Sequence, residues 1–237
     1  MKFLYSLLFL TLLSPLFLHA QSNGTAPEKS GMYFFVGAGI NNSTINYSGN
    51  DQLQNAKAFS SNSLQINLGT DIYFDKYSQA LAFRMELGFN PGNKAQLETN
   101  YNDGITYSNN PTSYTEVLKF TQNIASFSPQ IIWNVYNAHV LKIYVDAGFS
   151  INYAMYSNKQ FSKTTSYQSG DQYTVQQAFP QMHSVIFNVP VKAGVTIAHT
   201  VSIFAAYIPK TALNQNPGEA YNQSLYQAGI DYYFGKK

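Results

Sequence analysis

The chain has no cysteine, and charged residues make up only 11% of its 237 positions. Without cysteine there is no disulfide framework, no N-terminal cysteine to carry a lipid, and no thiolate for catalysis or metal binding. Soluble domains usually carry about 25% charged residues, so a water-facing exterior of ordinary type is hard to build from this composition. A formal net charge of +2 leaves no electrostatic footprint for nucleic acid. Beyond its first residues the chain also lacks any apolar run as long as the about 20 residues a transmembrane helix requires.

What is present is aromatic residues, 16% of the chain, and strict alternation. In Leu141 to Tyr153 one parity holds Leu141, Ile143, Val145, Ala147, Phe149, Ile151 and Tyr153; the other holds Lys142, Tyr144, Asp146, Gly148, Ser150 and Asn152. Successive strand side chains point to opposite faces, so this stretch is a strand with one apolar and one polar face. A charge-poor, aromatic-rich chain without membrane helices has one other way to live in a bilayer, a closed β-barrel, because an open sheet edge in lipid leaves backbone groups unpaired.

The first residues, Met1-Lys2, an apolar run from Phe3 to about Leu18 and then His19-Ala20, predict a secretory signal peptide cut after Ala20. Residues 21–31 are polar and predict a flexible periplasmic lead, with the barrel domain over 32–237.

Taken in order, alternation predicts eight strands. Strand one starts near Met32, with Gly37 and Gly39 facing inward to relieve crowding; a loop covers Asn46 to Asn62; strand two runs from Leu64 to Phe74 and strand three from Leu81 until Asn90-Pro91-Gly92-Asn93 closes it as a transmembrane segment. Asn102-Asp103-Gly104 predicts a hairpin that continues as a ribbon above the membrane. In strand four, Glu116 to Tyr136, the apolar parity changes from Leu118, Phe120 and Ile124 to Phe127, Ile131, Trp133 and Val135, which predicts a bulge near Ser126 to Pro129. Leu141 to Tyr153 is strand five. Strand six runs from about Val185 to Ile197, strand seven from Val201 to Pro209 with ambiguous parity, and the last strand ends at Phe234 after a loop with Asn216-Pro217-Gly218.

Connections alternate long and short, as in an all-β, eight-stranded antiparallel up-and-down transmembrane β-barrel with long external loops and short periplasmic turns. Tyr33, Phe34, Phe74, Trp133, Tyr136, Tyr232 and Phe234 fall at the short-turn end, an aromatic girdle at the membrane interface. The competing architecture, a secreted soluble barrel, inverts the same pattern; its exterior needs Lys and Glu, where this polar parity is mostly Gly, Asn, Ser and Thr. With lipid outside, Asp71, Arg84, Glu86, Lys142, Asp146, Lys192 and Asp231 become a luminal polar network in a bore narrow enough for side chains to fill.

Catalytic constellations are absent. His139 and His199 lie at short turns, and His183 is followed directly by Ser184; neighbouring strand residues point to opposite faces, so that pair does not make a nucleophile and its base. No cofactor and no metal-ligand cluster is indicated.

The eight strands, the Tyr144-Val145-Asp146-Ala147-Gly148-Phe149 segment and the closing Gly229-Ile230-Asp231-Tyr232-Tyr233-Phe234 resemble the PorT-like and outer-membrane-protein-A-like small barrels. The ending Phe234-Gly235-Lys236-Lys237 departs from the pattern of finishing on the aromatic residue. The resemblance implies the outer membrane of a Gram-negative bacterium, contact with outer-membrane lipid, and handling by the barrel-assembly machinery. The expected role is structural, or surface interaction with an extracellular or envelope protein or a glycan through the external loops. The alternatives are a narrow channel or transporter for a small or hydrophobic solute, and a subunit of an envelope secretion machine.

Overall fold

The computed structural model describes residues 31–49, 55–74, 79–101, 111–138, 140–214 and 219–234. The signal peptide, all of the lead but Gly31, the Asn102-Asp103-Gly104 and Asn216-Pro217-Gly218 turns, His139 and the Gly235-Lys236-Lys237 ending lie outside the described residues.

The described chain is all β. Its strands are β1 (Met32–Gly49), β2 (Asn55–Tyr73), β3 (Leu81–Tyr101), β4 (Pro111–Asn137), β5 (Leu141–Gly148), β6 (Ser150–Tyr167), β7 (Gln172–Gln176), β8 (Val185–Asn188), β9 (Val191–Ile197), β10 (Val201–Ala212) and β11 (Glu219–Phe234). β5 and β6 form one stave interrupted at Phe149, and β8 and β9 another interrupted at Val189-Pro190. The ladders run β3-β2-β1-β11-β10-β9-β5-β4, and β4 pairs β3 again, so a ring of eight staves closes on itself. β7 stands outside the ring as a hairpin partner of β6.

Closure is what lipid demands of an apolar exterior, because each backbone donor and acceptor then has a neighbour. Phe34, Val36, Ile40, Leu64, Leu68, Leu87, Ile131, Val145, Ile151, Phe187, Ile203 and Ile230 all face outward and are exposed. A water-soluble protein does not leave a continuous apolar surface of this extent, so the ring is a membrane-spanning barrel. Along Leu141 to Tyr153 the alternation holds: Lys142, Tyr144, Asp146, Ser150 and Asn152 are buried, and Ile143, Val145, Phe149, Ile151 and Tyr153 are exposed.

Two expectations are corrected, one is refined, and the open parity of strand seven is settled. The segment 46–62 is mostly strand, since β1 reaches Gly49 and β2 begins at Asn55. Asn90-Pro91-Gly92-Asn93 marks the end of the lipid-facing part of strand three and not of the strand itself: β3 continues to Tyr101, with the register shifting between Asn90 and Asn93. Gly92 takes the left-handed conformation there, φ 66°, and its N–H donates to Asn123 Oδ1 at 2.7 Å. No bulge exists at Ser126 to Pro129, where pairing with β3 is uninterrupted from Ser126↔Gly88 to Pro129↔Met85. Strand seven faces Ser202, Phe204, Ala206 and Ile208 inward.

The apparent parity change in strand four has a different cause. Leu118, Phe120, Gln122, Ile124, Ser128, Gln130, Ile132 and Asn134 are all buried, on one unbroken inward face. That face turns from polar to apolar along the strand because the solvent outside changes. Outward positions become polar at Asn42, Asn62, Lys94, Asn123, Ser157 and Lys210, and at that level the interior becomes an apolar cluster of Ile45, Ala95, Leu97, Leu118, Phe120, Ala154, Ile186, Leu213 and Tyr221. Below this level the barrel is apolar outside and polar inside; above it the polarity is that of a water-soluble barrel. The register shifts at Asn90/Asn93 in β3, Lys119/Thr121 in the β4–β6 ladder and Ile208/Thr211 in β10 lie at the transition. Each bulge moves the inward set to the other parity.

Candidate functional site

The interior is stacked in layers from the short-turn end. At the floor, Lys142 donates to Gln79 Oε1 at 2.5 Å and lies over the Tyr73 ring, 4.8 Å from its centroid. Gln79 also donates to the Tyr33 hydroxyl at 3.2 Å, and Tyr33 and Tyr73 meet edge to face. Tyr33 therefore belongs to the barrel floor, which corrects its placement in the lipid-facing girdle. Phe34, Phe74, Trp133, Tyr136 and Phe234 are exposed on the outer face, with Tyr232 on the same parity.

Above the floor sits the charged layer, centred on Arg84. Directly opposite in the ladder is Asp71, which accepts from Arg84 Nε at 2.7 Å and from a terminal guanidinium nitrogen at 2.9 Å. The other terminal nitrogen donates to Asp146 Oδ2 at 2.8 Å, and Tyr233 accepts from Arg84 at 2.6 Å while donating to Asp71. The guanidinium carbon lies 4.9 Å from the Phe35 ring centroid and 5.3 Å from that of Tyr144. Arg84 is 1% exposed; a charge so deep is tolerated only when its donors are taken up by carboxylates and acceptors, as here. Lys192 donates to Glu86 at 2.5 Å over the Phe204 ring, and Asp231 accepts from Asn67 at 2.7 Å.

The structure thus brings Asp71, Arg84 and Asp146 together, and pairs Lys192 with Glu86 separately. Lys142 and Asp146, adjacent in parity on one strand, do not form an ion pair: Lys142 goes to Gln79. Small residues make room for the large ones. A Cβ on Gly194 would stand 2.5 Å from the Tyr144 ring, and one on Gly69 would stand 2.6 Å from the Phe35 ring.

A third layer is built of neutral amides. Gln223 donates to Ser43 at 2.7 Å and to Gln122 at 3.0 Å, and Gln122 donates to the Tyr156 hydroxyl at 3.3 Å. Tyr156 in turn donates to the carbonyl of His183 at 3.0 Å. This chain crosses the bore from β1 and β11 to β4 and β6. Directly above it lies the apolar cluster, capped by Phe179 and Met182 from the segment joining β7 to β8, with Phe179 edge-on to Phe120.

Sequence reasoning missed both upper layers. The signal was available in β1, where the inward parity runs Gly37, Gly39, Asn41, Ser43, Ile45, and again in the strand-four switch. Among the described residues, no group of His, Cys, Asp and Glu is arranged to hold a metal ion. His183 is engaged through its backbone, donating to the Leu213 carbonyl at 2.7 Å.

No family model matches the chain, and no curated protein sequence matches it. Solved structures do. The outer membrane protein OprG from Pseudomonas aeruginosa is similar over 89% of this chain and 99% of its own, at 13% identity and a TM-score of 0.46. Neisserial surface protein A is similar over 86% and 98%, at 15% identity and 0.39. Ail, the attachment invasion locus protein of Yersinia pestis, in complex with the heparin analogue sucrose octasulfate, is similar over 86% and 99%, at 12% identity and 0.38.

Proposed function

We propose that the chain is an outer-membrane surface protein whose membrane barrel is a closed anchor for a folded β-structure outside the bilayer, which contacts an extracellular or envelope protein or a glycan. The observation that carries this reading is the inversion of polarity. Above the lipid-facing belt the strands continue as paired ladders around their own apolar core, so the external part is a packed continuation of the barrel wall. β3 and β4 stay paired out to Tyr101↔Tyr114, β4 and β6 to Pro111↔Tyr167, and β6 folds back on β7. β7 exposes Tyr173 and Val175, uncharged side chains on a strand with one partner, which favours contact by strand addition or aromatic stacking.

The layers beneath support an anchor over a diffusion channel. Arg84 with its partners, and the amide chain above it, place two successive cross-braces in a bore the width of side chains. A polar solute passing through would have to break charge-assisted hydrogen bonds between buried side chains.

The test removes contact surface and leaves the core. Thr164 and Thr174 face each other in the β6–β7 ladder, so replacing residues 165–173 by a two-residue Asn-Gly turn shortens the hairpin at a paired position without touching the apolar cluster. The variant should assemble normally, and cells displaying it should lose binding on protein and glycan arrays that the parent shows. An unchanged binding profile, or stable conductance steps from the parent in planar bilayers, overturns the reading.

A further inference from the structure

The wall of the barrel is not laddered everywhere. β9 and β10 pair from Val201↔Ile197 up to Tyr207↔Val191, and there the pairing stops. β8, the upper half of the same stave, pairs β6 from Tyr153↔Val185 to Ser150↔Asn188 but forms no ladder with β10. β8 and β10 lie side by side, but backbone pairing between the two sides resumes only at the isolated bridge Met182↔Asn214, with His183 donating to the Leu213 carbonyl. Between these two closures runs a seam, bounded by residues 183–190 on one side and 208–213 on the other.

Two prolines sit where the pairing fails. Pro190 interrupts the stave between β8 and β9, and Pro209 follows Ile208 on the facing strand at the β10 register shift. Neither has an N–H to give to a ladder, so the seam is written into the sequence.

What lies on each side of the seam decides its use. Outside are Val185, Phe187 and Val189, all exposed, so on this stave the lipid-facing belt runs up alongside the opening. On β10 the belt ends at Tyr207, stacked on Tyr226 with ring centroids 4.8 Å apart, an interfacial aromatic pair, followed by the exposed Lys210. Behind the seam are Ile186, Ile208 and Leu213, all buried, of which Ile186 and Leu213 belong to the apolar cluster with Leu118 and Phe120. Phe179 and Met182, the side chains that cap this cluster, come from the connecting segment 177–184 that borders the seam and not from a laddered strand. Below, the polar chain of Gln122, Gln223 and Tyr156 gives the cluster a floor.

We propose that this seam is a lateral port through which an acyl chain passes from the bilayer into the apolar core of the external half, displacing Phe179 and Met182 and lying against Leu118, Phe120, Ile186 and Leu213. The reasons are continuity and solvent. The β8 rim of the seam carries the lipid-facing belt upward, the β10 rim lies just above the end of the belt at Tyr207, the interior is a second apolar phase, and the backbone between them is the part of this wall without a ladder to break. An aqueous solute meets apolar surface on both sides and has no comparable path. The port does not involve the β6–β7 hairpin, so it stands or falls separately from the surface-contact reading.

The absence of natural cysteine makes a clean test. Val185 and Ala212 are both exposed on the outer face, one on each rim of the seam. The double substitution Val185→Cys, Ala212→Cys closes the seam by a disulfide and reopens it on reduction. The full chain in phosphatidylcholine nanodiscs is irradiated with palmitic acid carrying a diazirine near its methyl end, and separately with a phosphatidylcholine carrying the same acyl chain; adducts are mapped by mass spectrometry. With the seam reduced, adducts are expected at Leu118, Phe120, Ile186 or Leu213 as well as at Phe187 and Ile151 on the belt. With the seam oxidised, the interior adducts should vanish and the belt adducts persist, and reduction of the same sample should restore the first pattern. The arm that labels the interior identifies free fatty acid or lipid tail as the source. Labelling confined to the belt in both arms, or interior adducts that survive the disulfide, overturns the proposal.

Discussion

Arg84 on β3 and Asp71 on β2 stand opposite each other in the ladder and are joined by two parallel hydrogen bonds, of 2.7 and 2.9 Å. This fork, closed by Asp146 from β5 and Tyr233 from β11, ties four staves of the ring together through one side chain. A planar guanidinium can do this because its donors are fixed in directions that match a carboxylate on one edge and leave others free.

Replacing Arg84 by Met removes the ion-pair partner of two buried carboxylates, Asp71 and Asp146. Breaking a buried pair from one side costs ~3–5 kcal/mol, so the variant should unfold at markedly lower urea concentration in micelles, followed by the gel-mobility difference between folded and unfolded barrel. Arg84→Lys should recover little of the loss, since an ammonium lacks the fork. Equal midpoints for the parent and Arg84→Met would show that the network contributes nothing.

Lys192 and Glu86 form a second pair, independent of the first in its contacts. Lys192→Met and Glu86→Gln should each destabilise the barrel, and the double variant should lose less than the sum of the two, because no unpaired buried charge remains. A double-mutant cycle in urea measures the coupling, expected at ~0.5–3 kcal/mol.

Gly194 should resist any side chain. A Cβ there would press on the Tyr144 ring at 2.5 Å, and Tyr144 is pinned by a 3.0 Å hydrogen bond to Ser202. Gly194→Ala should cost ~1–3 kcal/mol by overpacking, and the additional substitution Tyr144→Ala should remove the penalty specific to the methyl. Thermal unfolding of the four proteins separates steric conflict from a general intolerance at the site.

Trp133 is the single tryptophan and is 58% exposed on the outer face near the short-turn end. In liposomes its fluorescence should be quenched by brominated phospholipids, more by bromines near the headgroup than by bromines deep in the tail, because Trp favours the membrane interface. Quenching by aqueous iodide alone, with none from lipid, would contradict a lipid-facing girdle.

Truncating Phe120 to Ala should lower stability by ~3–5 kcal/mol, as in the core of a water-soluble domain, since its ring packs with Leu118, Tyr156 and Phe179 above the membrane belt. The same truncation at the lipid-facing Phe89 should cost far less, because lipid fills the space a truncated side chain leaves. Comparing the two urea midpoints checks that the apolar cluster is a packed core.

Alternation alone determined the strand number, the direction each belt residue faces and the side of the wall on which Arg84, Asp146 and Lys192 lie, because a strand has only two faces and one of them meets lipid. It failed where the solvent changed. In strand four the inward face stays the same from Asn134 to Leu118, yet its chemistry reverses, and a pattern of apolar residues carries no label for whether lipid or water is outside. Only the tertiary structure decided that Pro91-Gly92 is a bulge inside a continuous strand, that Tyr33 and Lys142 meet at Gln79, and that Arg84 chooses Asp71 and Asp146. Those choices depend on which staves become neighbours when the ring closes, on the stagger between them, and on the room that Gly69 and Gly194 leave for Phe35 and Tyr144. The seam between β8 and β10 belongs to the same class: Pro190 and Pro209 are plain in the sequence, but that these two residues, 19 positions apart, flank the same gap is a consequence of register across strands, which no local pattern encodes.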